Sequence, residues 1–185
     1  MKLIAFDLES GGGSSEFSLL TGCFKILRPN SDLKLIVEDR LYLTIKHDIY
    51  KIHPEAMEVN GLNLKEIEAN GVSVSKAGEL LFKFIKKNGS EEKLIPLGHA
   101  ITNDIRMVNA QILKENNWNQ FVSFKYLDTQ VLAMTLQYKG KIPADLSLKL
   151  KSLCEYFKLT GFNYHTAEGD TDATISLYEE EVRLI

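Results

Sequence analysis

The sequence predicts one α/β domain over residues 1–185, built on a mixed five-stranded sheet flanked by helices. Three observations support this prediction. The first quarter of the chain carries apolar runs and alternations typical of strands, as in Leu3–Phe6. Later segments space apolar residues three and four apart and alternate with short strand-like runs. The length of 185 residues and a hydrophobic content of 44% are sufficient for a single core.

Three strands open the chain, and helical and extended segments then alternate. Ala77, Leu81 and Ile85 lie on one face of a predicted helix that ends at Gly89. Pro54 suits a first helical position, and Asn63 suits a cap. The predicted strands are 2–7, 17–27, 41–47, 93–98 and 121–127. Short helical turns are predicted over 54–71, and longer helices over 73–89 and 102–116. Three more helices are predicted to begin at Asp128, at Ser147 and at Gly169 or Asp170, and the one from Ser147 ends at Gly161.

The composition excludes several classes of protein. The longest uncharged apolar stretches are far shorter than the roughly 18 residues of a membrane span, so we expect no membrane partner. Cys23 and Cys154 lie in apolar contexts typical of buried free thiols, which favours a cytoplasmic protein. The net charge of −3 gives no general attraction for nucleic acid.

Asp7 and Glu9 end the first predicted strand. Because side chains two residues apart leave the same face of a strand, these two carboxylates should lie close together and repel each other. The alternative is a solvated strand end. Their position at the carboxyl end of a strand favours a site, since ligands collect there in sheets of this kind.

Asp104 and Asp170 each lie near the start of a predicted helix. Asp104 should reach the same sheet edge if its preceding strand is parallel to the first, although helix capping alone could explain it. Asp170 lies on the stripe that continues through Ala173 and Leu177 towards the core, so it needs a partner. Asp172 is turned away from that stripe and is expected to face solvent.

These four carboxylates indicate a site for hard cations. Asp7, Glu9, Asp104 and Asp170 supply only oxygen ligands, which suit two Mg²⁺ or Mn²⁺ ions better than a structural zinc. Two such ions would concentrate positive charge in an acidic protein and attract a phosphodiester.

Two histidines lie five residues before an aspartate of this set. His165 precedes Asp170 in the Gly161–Gly169 loop, where an imidazole could move over a site built on rigid elements. His99 directly follows a predicted strand, which favours a packed structural histidine. We therefore predict that His165 is the general base.

Three segments together resemble the DEDD family of 3′–5′ exonucleases, in its histidine-containing (DEDDh) branch. They are Phe6-Asp7-Leu8-Glu9-Ser10, Gly98-His99-Ala100-Ile101-Thr102-Asn103-Asp104 and His165-Thr166-Ala167-Glu168-Gly169-Asp170. This branch includes polymerase proofreading exonucleases, ribonuclease T and oligoribonuclease. The resemblance implies a ribonuclease-H-like fold, two divalent ions held by the four carboxylates, and His165 as the base.

The resemblance also implies the reaction and its substrate. The expected function is release of nucleoside 5′-monophosphates from the 3′ end of single-stranded nucleic acid, with DNA favoured and a DNA polymerase or replication complex as a partner. An RNA-directed exonuclease and a non-catalytic nucleic-acid-binding module are the alternatives. The residues expected to bind substrate are Leu8, Ser10, Asn60, Leu62, His99 and Asn103.

Overall fold

The computed structural model describes residues 1–32 and 34–185. The described strands are β1 (Leu3–Ser10), β2 (Leu19–Pro29), β3 (Leu35–Lys46), β4 (Val72–Ser73), β5 (Ile95–Gly98) and β6 (Leu127–Asp128). The described helices are α1 (Pro54–Asn60), α2 (Leu64–Asn70), α3 (Val74–Gly89), α4 (Thr102–Gln111), α5 (Glu115–Phe121), α6 (Thr129–Tyr138), α7 (Leu150–Tyr156) and α8 (Ala167–Leu184).

The sheet is mixed, as the sequence predicts, and its strand order is β4-β3-β2-β1-β5-β6. The first three strands form an antiparallel meander, whereas β5 lies parallel to β1 and β6 parallel to β5. The predicted α/β class is confirmed, but the sheet has six strands rather than five. The extra strand is β4, whose two residues pair with Ile45 and Lys46 at the end of β3 and are too few to give a period in the sequence.

The two faces of β1 pack against different helices. Ile4 and Phe6 face a core that includes α3 and α5, where the Phe6 ring lies 5.6 Å from Trp118 and 5.2 Å from Phe24 between centroids. Leu3 and Ala5 face the opposite side and share a cluster with residues of α8. Burial of each large side chain contributes roughly 1.5–3 kcal/mol, so both faces of β1 are fixed. Asp7 and Glu9 follow Leu3 and Ala5 at the same two-residue spacing, so they lie on the face of the sheet that packs against α8.

The predicted helix over 102–116 and the predicted strand over 121–127 are both wrong in extent. Helix α4 ends at Gln111, and after the non-helical Lys114 the chain begins a new helix, α5. Trp118 lies on α5 and is buried in the core. This tertiary contact cannot be predicted from the local spacing of apolar residues. Of the predicted strand, only Leu127 lies in β6, and Val122 forms a single bridge with Leu94.

The helix starts are predicted more closely than their ends. Asp128 caps α6, Asn63 caps α2, and Pro54 begins α1, as expected. Helix α7 covers only Leu150–Tyr156, within the longer segment that the sequence predicts. Helix α8 begins three residues before Asp170 because Thr166 provides its cap. None of the described helices combines the length and the hydropathy that crossing a membrane requires.

Candidate active site

Strand β1 carries the first two candidate ligands. Asp7 is paired with Cys23 and Glu9 with Thr21 of β2, so the extended geometry persists through both positions. Both carboxylates therefore leave the face on which α8 packs, and both are partly buried. A solvated strand end does not describe this position.

Strand β5 brings Asp104 to the same edge of the sheet. It runs parallel to β1, with Ala5 opposite Leu97, so the carboxyl ends of the two strands are neighbours. Asp104 lies in the first turn of α4, where an acidic residue also favours the helix dipole. Helix stabilisation and membership of the site are therefore compatible at this residue.

Helix α8 completes the arrangement. One carboxylate oxygen of Asp170 lies within 4.8 Å of one oxygen from each of Asp7 and Glu9, and Asp104 stands outside this group of three. The loop before α8 folds tightly onto the helix start, since a Cβ at Gly169 would lie 2.0 Å from the Asn163 carbonyl oxygen. Only glycine permits that approach, which presents Asp170 to β1.

Burial raises the pKa values of all four carboxylates, and neighbouring site carboxylates raise those of Asp7 and Glu9 further. Burial raises the pKa of Glu9 to about 7, and the charges of Asp170 and Asp104 add to the effect. Burial also raises the pKa of Asp104 to about 7 and that of Asp7 well above its ordinary range, with the charge of Asp104 as the next cause for Asp7. Burial raises the pKa of Asp170 as well, and the hydrogen bond that the His165 backbone N–H donates to this carboxylate partly offsets the rise. The site is unfavourable for four anions without added positive charge.

A buried cation on this face, Lys25, is paired with acidic residues outside the cluster. Lys25 is 6% exposed, and its Nζ lies 2.6 Å from Asp172 Oδ1 and 3.6 Å from Glu168 Oε1. Asp172 keeps 44% side-chain exposure, and the structure adds this ion pair to its expected contact with solvent. Lys25 and Asp172 therefore form a pair beside the carboxylate cluster.

The two histidines occupy different environments. The His165 side chain is exposed, and its backbone N–H donates to Asp170 Oδ2 at 3.1 Å. Its φ of 63° is uncommon for a residue other than glycine, and such backbone conformations cluster at functional sites. His99 has both ring nitrogens engaged, Nδ1 with Thr129 Oγ1 at 2.8 Å and Nε2 with the Leu148 carbonyl at 2.9 Å. These contacts fit the packed structural histidine that the sequence favours.

A cleft of about 450 Å³, here called the Leu8 cleft, opens beside Glu9. The predicted substrate residues Leu8, Ser10 and Asn60 line it. The Asn60 side chain donates to the Ser10 carbonyl at 3.1 Å and accepts from the Leu62 N–H at 3.1 Å, so it holds the turn after α1 against the end of β1. Asn103 is exposed on the first turn of α4.

The structure adds residues to the Leu8 cleft that the sequence did not indicate. Phe17 and His53 line it with their rings in an edge-to-face arrangement, 6.4 Å apart between centroids. Both belong to irregular segments, and neither falls in a motif. The sequence offers one hint, the presence of Phe17 shortly after the triple glycine at 11–13, but this separation does not match any motif.

We predict that the metal-free protein loses stability as pH rises from about 4.5 to 7. The folded state holds protons on Glu9 and Asp104 in this range, while the unfolded chain has released them, so the free energy of unfolding falls with pH. The shift of Glu9 from 4.5 to about 7 corresponds to roughly 3 kcal/mol. Denaturant titrations in EDTA at several pH values measure this effect. In Glu9→Gln the slope should be shallower, and equal slopes in the two proteins would contradict the prediction.

The fold is similar to solved structures of exonuclease I. A complex of the E. coli enzyme with a dT13 oligonucleotide matches with a TM-score of 0.75 and 18% identity, over 97% of this chain and 40% of that one. The zinc-bound complex of E. coli exonuclease I with single-stranded DNA matches with a TM-score of 0.74 and 18% identity, over 99% and 41%. A complex of exonuclease I with the SSB C-terminus matches with a TM-score of 0.74 and 16% identity, over 99% and 42%.

These likenesses show the fold alone, a ribonuclease-H-like α/β fold that this chain shares with exonuclease I. This chain spans about two fifths of the length of the exonuclease I structures. No family model and no curated protein matches the sequence.

Proposed function

We propose that this protein is a metal-dependent 3′–5′ exonuclease. It hydrolyses the phosphodiester bond at the 3′ end of single-stranded nucleic acid, DNA in preference to RNA, and releases nucleoside 5′-monophosphates. The observation that carries the proposal is the convergence of Asp7, Glu9 and Asp170 within 4.8 Å, with Asp104 close enough to raise the pKa values of Asp7 and Glu9.

The donor set fits two divalent ions. Every candidate ligand is a carboxylate, which suits Mg²⁺ or Mn²⁺, and mutual repulsion makes the cluster costly without a cation. Lys25, the buried cation on this face, is paired with Asp172. Asp7, Glu9, Asp104 and Asp170 would hold the ions. When bound, the ions would neutralise the phosphate oxygens and lower the pKa of the attacking water.

The chain's own residues supply positioning and proton transfer. Strand β1 and helices α4 and α8 hold the carboxylates, so little reorganisation is needed when charge develops on the phosphate. His165 lies beside Asp170 on an exposed loop, where an imidazole nitrogen can accept the proton of the attacking water. The Leu8 cleft, with Leu8, Ser10 and the Asn60–Leu62 turn, would take the terminal nucleoside.

The comparisons support the substrate class. Exonuclease I has been solved with dT13, and that protein shares this fold. His99 and Asn103 are proposed to contribute indirectly, His99 by its two hydrogen bonds near the second motif and Asn103 from the exposed start of α4. A DNA polymerase or replication complex stays the predicted protein partner.

Digestion of 5′-labelled oligonucleotides tests the activity, its direction and its metal requirement together. We expect single-stranded DNA and RNA of equal length to yield a stepwise ladder that keeps the 5′ label with Mg²⁺ or Mn²⁺, with DNA digested faster. EDTA should stop the reaction. Asp7→Asn protein, purified identically, controls for a contaminating nuclease.

Three outcomes would contradict the proposal. Label released first as a mononucleotide would reverse the direction, a single internal cut would indicate an endonuclease, and undiminished digestion in excess EDTA would exclude the metal-dependent mechanism. Faster digestion of RNA than DNA would favour the RNA-directed alternative. Metal-dependent oligonucleotide binding without any cleavage would favour the non-catalytic module.

A further inference from the structure

A second cleft, here called the lysine cleft, lies on the His165 side of the carboxylates. It has a volume of about 590 Å³ and includes Asp170 and His165 in its wall. Two further lining residues are Lys149 and Lys151, both exposed. The chain has a net charge of −3, so two lysines beside the carboxylate site give this cleft a local positive charge. The reaction described above gives these lysines no role.

The Leu8 cleft has the opposite character. Apolar side chains such as Leu8, Phe17 and Val59 form much of its wall, and Glu9 and Glu55 add negative charge. Among the described residues that line it there is no lysine or arginine. The two clefts share the carboxylate site as a neighbour, through Glu9 on one side and Asp170 on the other.

The chemistry of the substrate matches this difference. When a 3′-terminal nucleotide is removed, its nucleoside carries no phosphate other than the one being attacked. The strand that stays behind carries one negative charge per nucleotide, and cationic side chains are the residues that bind such a backbone. An apolar cleft therefore suits the departing nucleoside, and a cationic cleft suits the retained strand.

We propose that Lys149 and Lys151 bind the backbone phosphates of the retained strand, next to the bond that is cleaved. This inference rests on the proposed function and assigns the two clefts to the two sides of the scissile phosphate. Lys151 Nζ lies 6.0 Å from the centroid of the Tyr164 ring, a cation–π contact that keeps the ammonium group at the wall of the cleft. Lys149 directly precedes α7, so the two lysines are placed by the same short helix.

The test compares a substrate that has a retained strand with one that has none. The double variant Lys149→Met, Lys151→Met removes both charges and keeps the aliphatic stems. Binding of fluorescein-labelled dT12 is measured by anisotropy in EDTA at several salt concentrations. We expect the slope of log Kd against log salt concentration to fall by about 1.4, or about 0.7 per lysine. The affinity near 0.1 M salt should fall roughly 20-fold. The value of kcat/KM for thymidine 5′-monophosphate p-nitrophenyl ester with Mn²⁺ should stay within about twofold.

Two control variants sharpen the comparison. Lys149→Arg, Lys151→Arg keeps the charges and should restore dT12 binding, whereas Lys86→Met on α3 should leave both measurements unchanged. An unaltered salt dependence in the double methionine variant would overturn the proposal, and so would an equal loss of the p-nitrophenyl ester reaction. If the wild-type protein hydrolyses neither substrate, the proposed function fails, and the binding comparison in EDTA still decides the role of the lysines.

Discussion

Asp7→Asn should abolish nucleic-acid hydrolysis and at the same time raise the melting temperature of the metal-free protein. Asp7 lies within 4.8 Å of Glu9 and Asp170, and burial and its three acidic neighbours raise its pKa. Removing a metal ligand forfeits several kcal/mol of transition-state stabilisation, which is roughly 10³-fold or more in turnover. Removing a repelled charge stabilises the fold, by about 2–4 °C for each kcal/mol in a chain of this size.

The two measurements separate a functional carboxylate from a structural one. Calorimetry in EDTA should show the rise in Tm, and addition of Mn²⁺ should raise the Tm of the wild type more than that of the variant, since the ions bind only the folded state. Asp145→Asn, at an exposed position outside the site, is the matched control and should change neither quantity. Asp7→Asn protein that melts well below the wild type and keeps its activity would show that the carboxylate supports the fold instead.

The sequence predicts the elements that local pattern determines. The meander, helix α3 and the caps at Asn63 and Asp128 follow from period and capping chemistry, although β3 begins at Leu35, six residues before its predicted start. Short elements fixed by tertiary contact escape this reasoning. Helix α5 exists because Trp118 packs beside Phe6, a residue more than a hundred positions away, and β4 exists because two residues reach the end of β3.

The candidate site follows the same division. Asp7 and Glu9 are predictable as a pair because the period of a strand places them together. Their meeting with Asp170 requires α8 to pack on β1, and that packing depends on Leu3, Ala5 and Ile175 across the chain. The sequence did suggest Asp170 through its apolar stripe, so a carboxylate facing the core was the informative signal.

The lining of the clefts is the part that the sequence does not specify. Phe17, His53, Lys149 and Lys151 lie in or beside loops, have ordinary residue types for such segments and show no diagnostic spacing. The pairing of Lys25 with Asp172 crosses 147 positions and is equally invisible before the fold is known. Loop residues acquire a function from the rigid elements that place them, so only the structure identifies them.

His165→Asn should lower turnover by roughly 10²–10⁴-fold, the usual contribution of positioned proton transfer. Asparagine tolerates the positive φ of this residue and retains the backbone N–H that Asp170 accepts, so it removes the imidazole with little strain. His165→Ala also removes the imidazole, but alanine adopts the positive φ at this position less readily than asparagine does. Because the ion ligands are carboxylates, binding of Mn²⁺ and of dT12 should persist in both variants.

The pH dependence identifies the role of the imidazole. At saturating Mn²⁺ the carboxylates stay ionised, so the acidic limb of the wild-type pH–rate profile reports the base, and it should flatten in His165→Asn. His99→Ala is the internal control, since loss of its contacts to Thr129 and Leu148 should lower Tm before it lowers the rate of folded enzyme. If folded His99→Ala lost turnover while His165→Asn kept it, the proton would have to pass through His99, and the exposed loop before α8 would have only a positioning role.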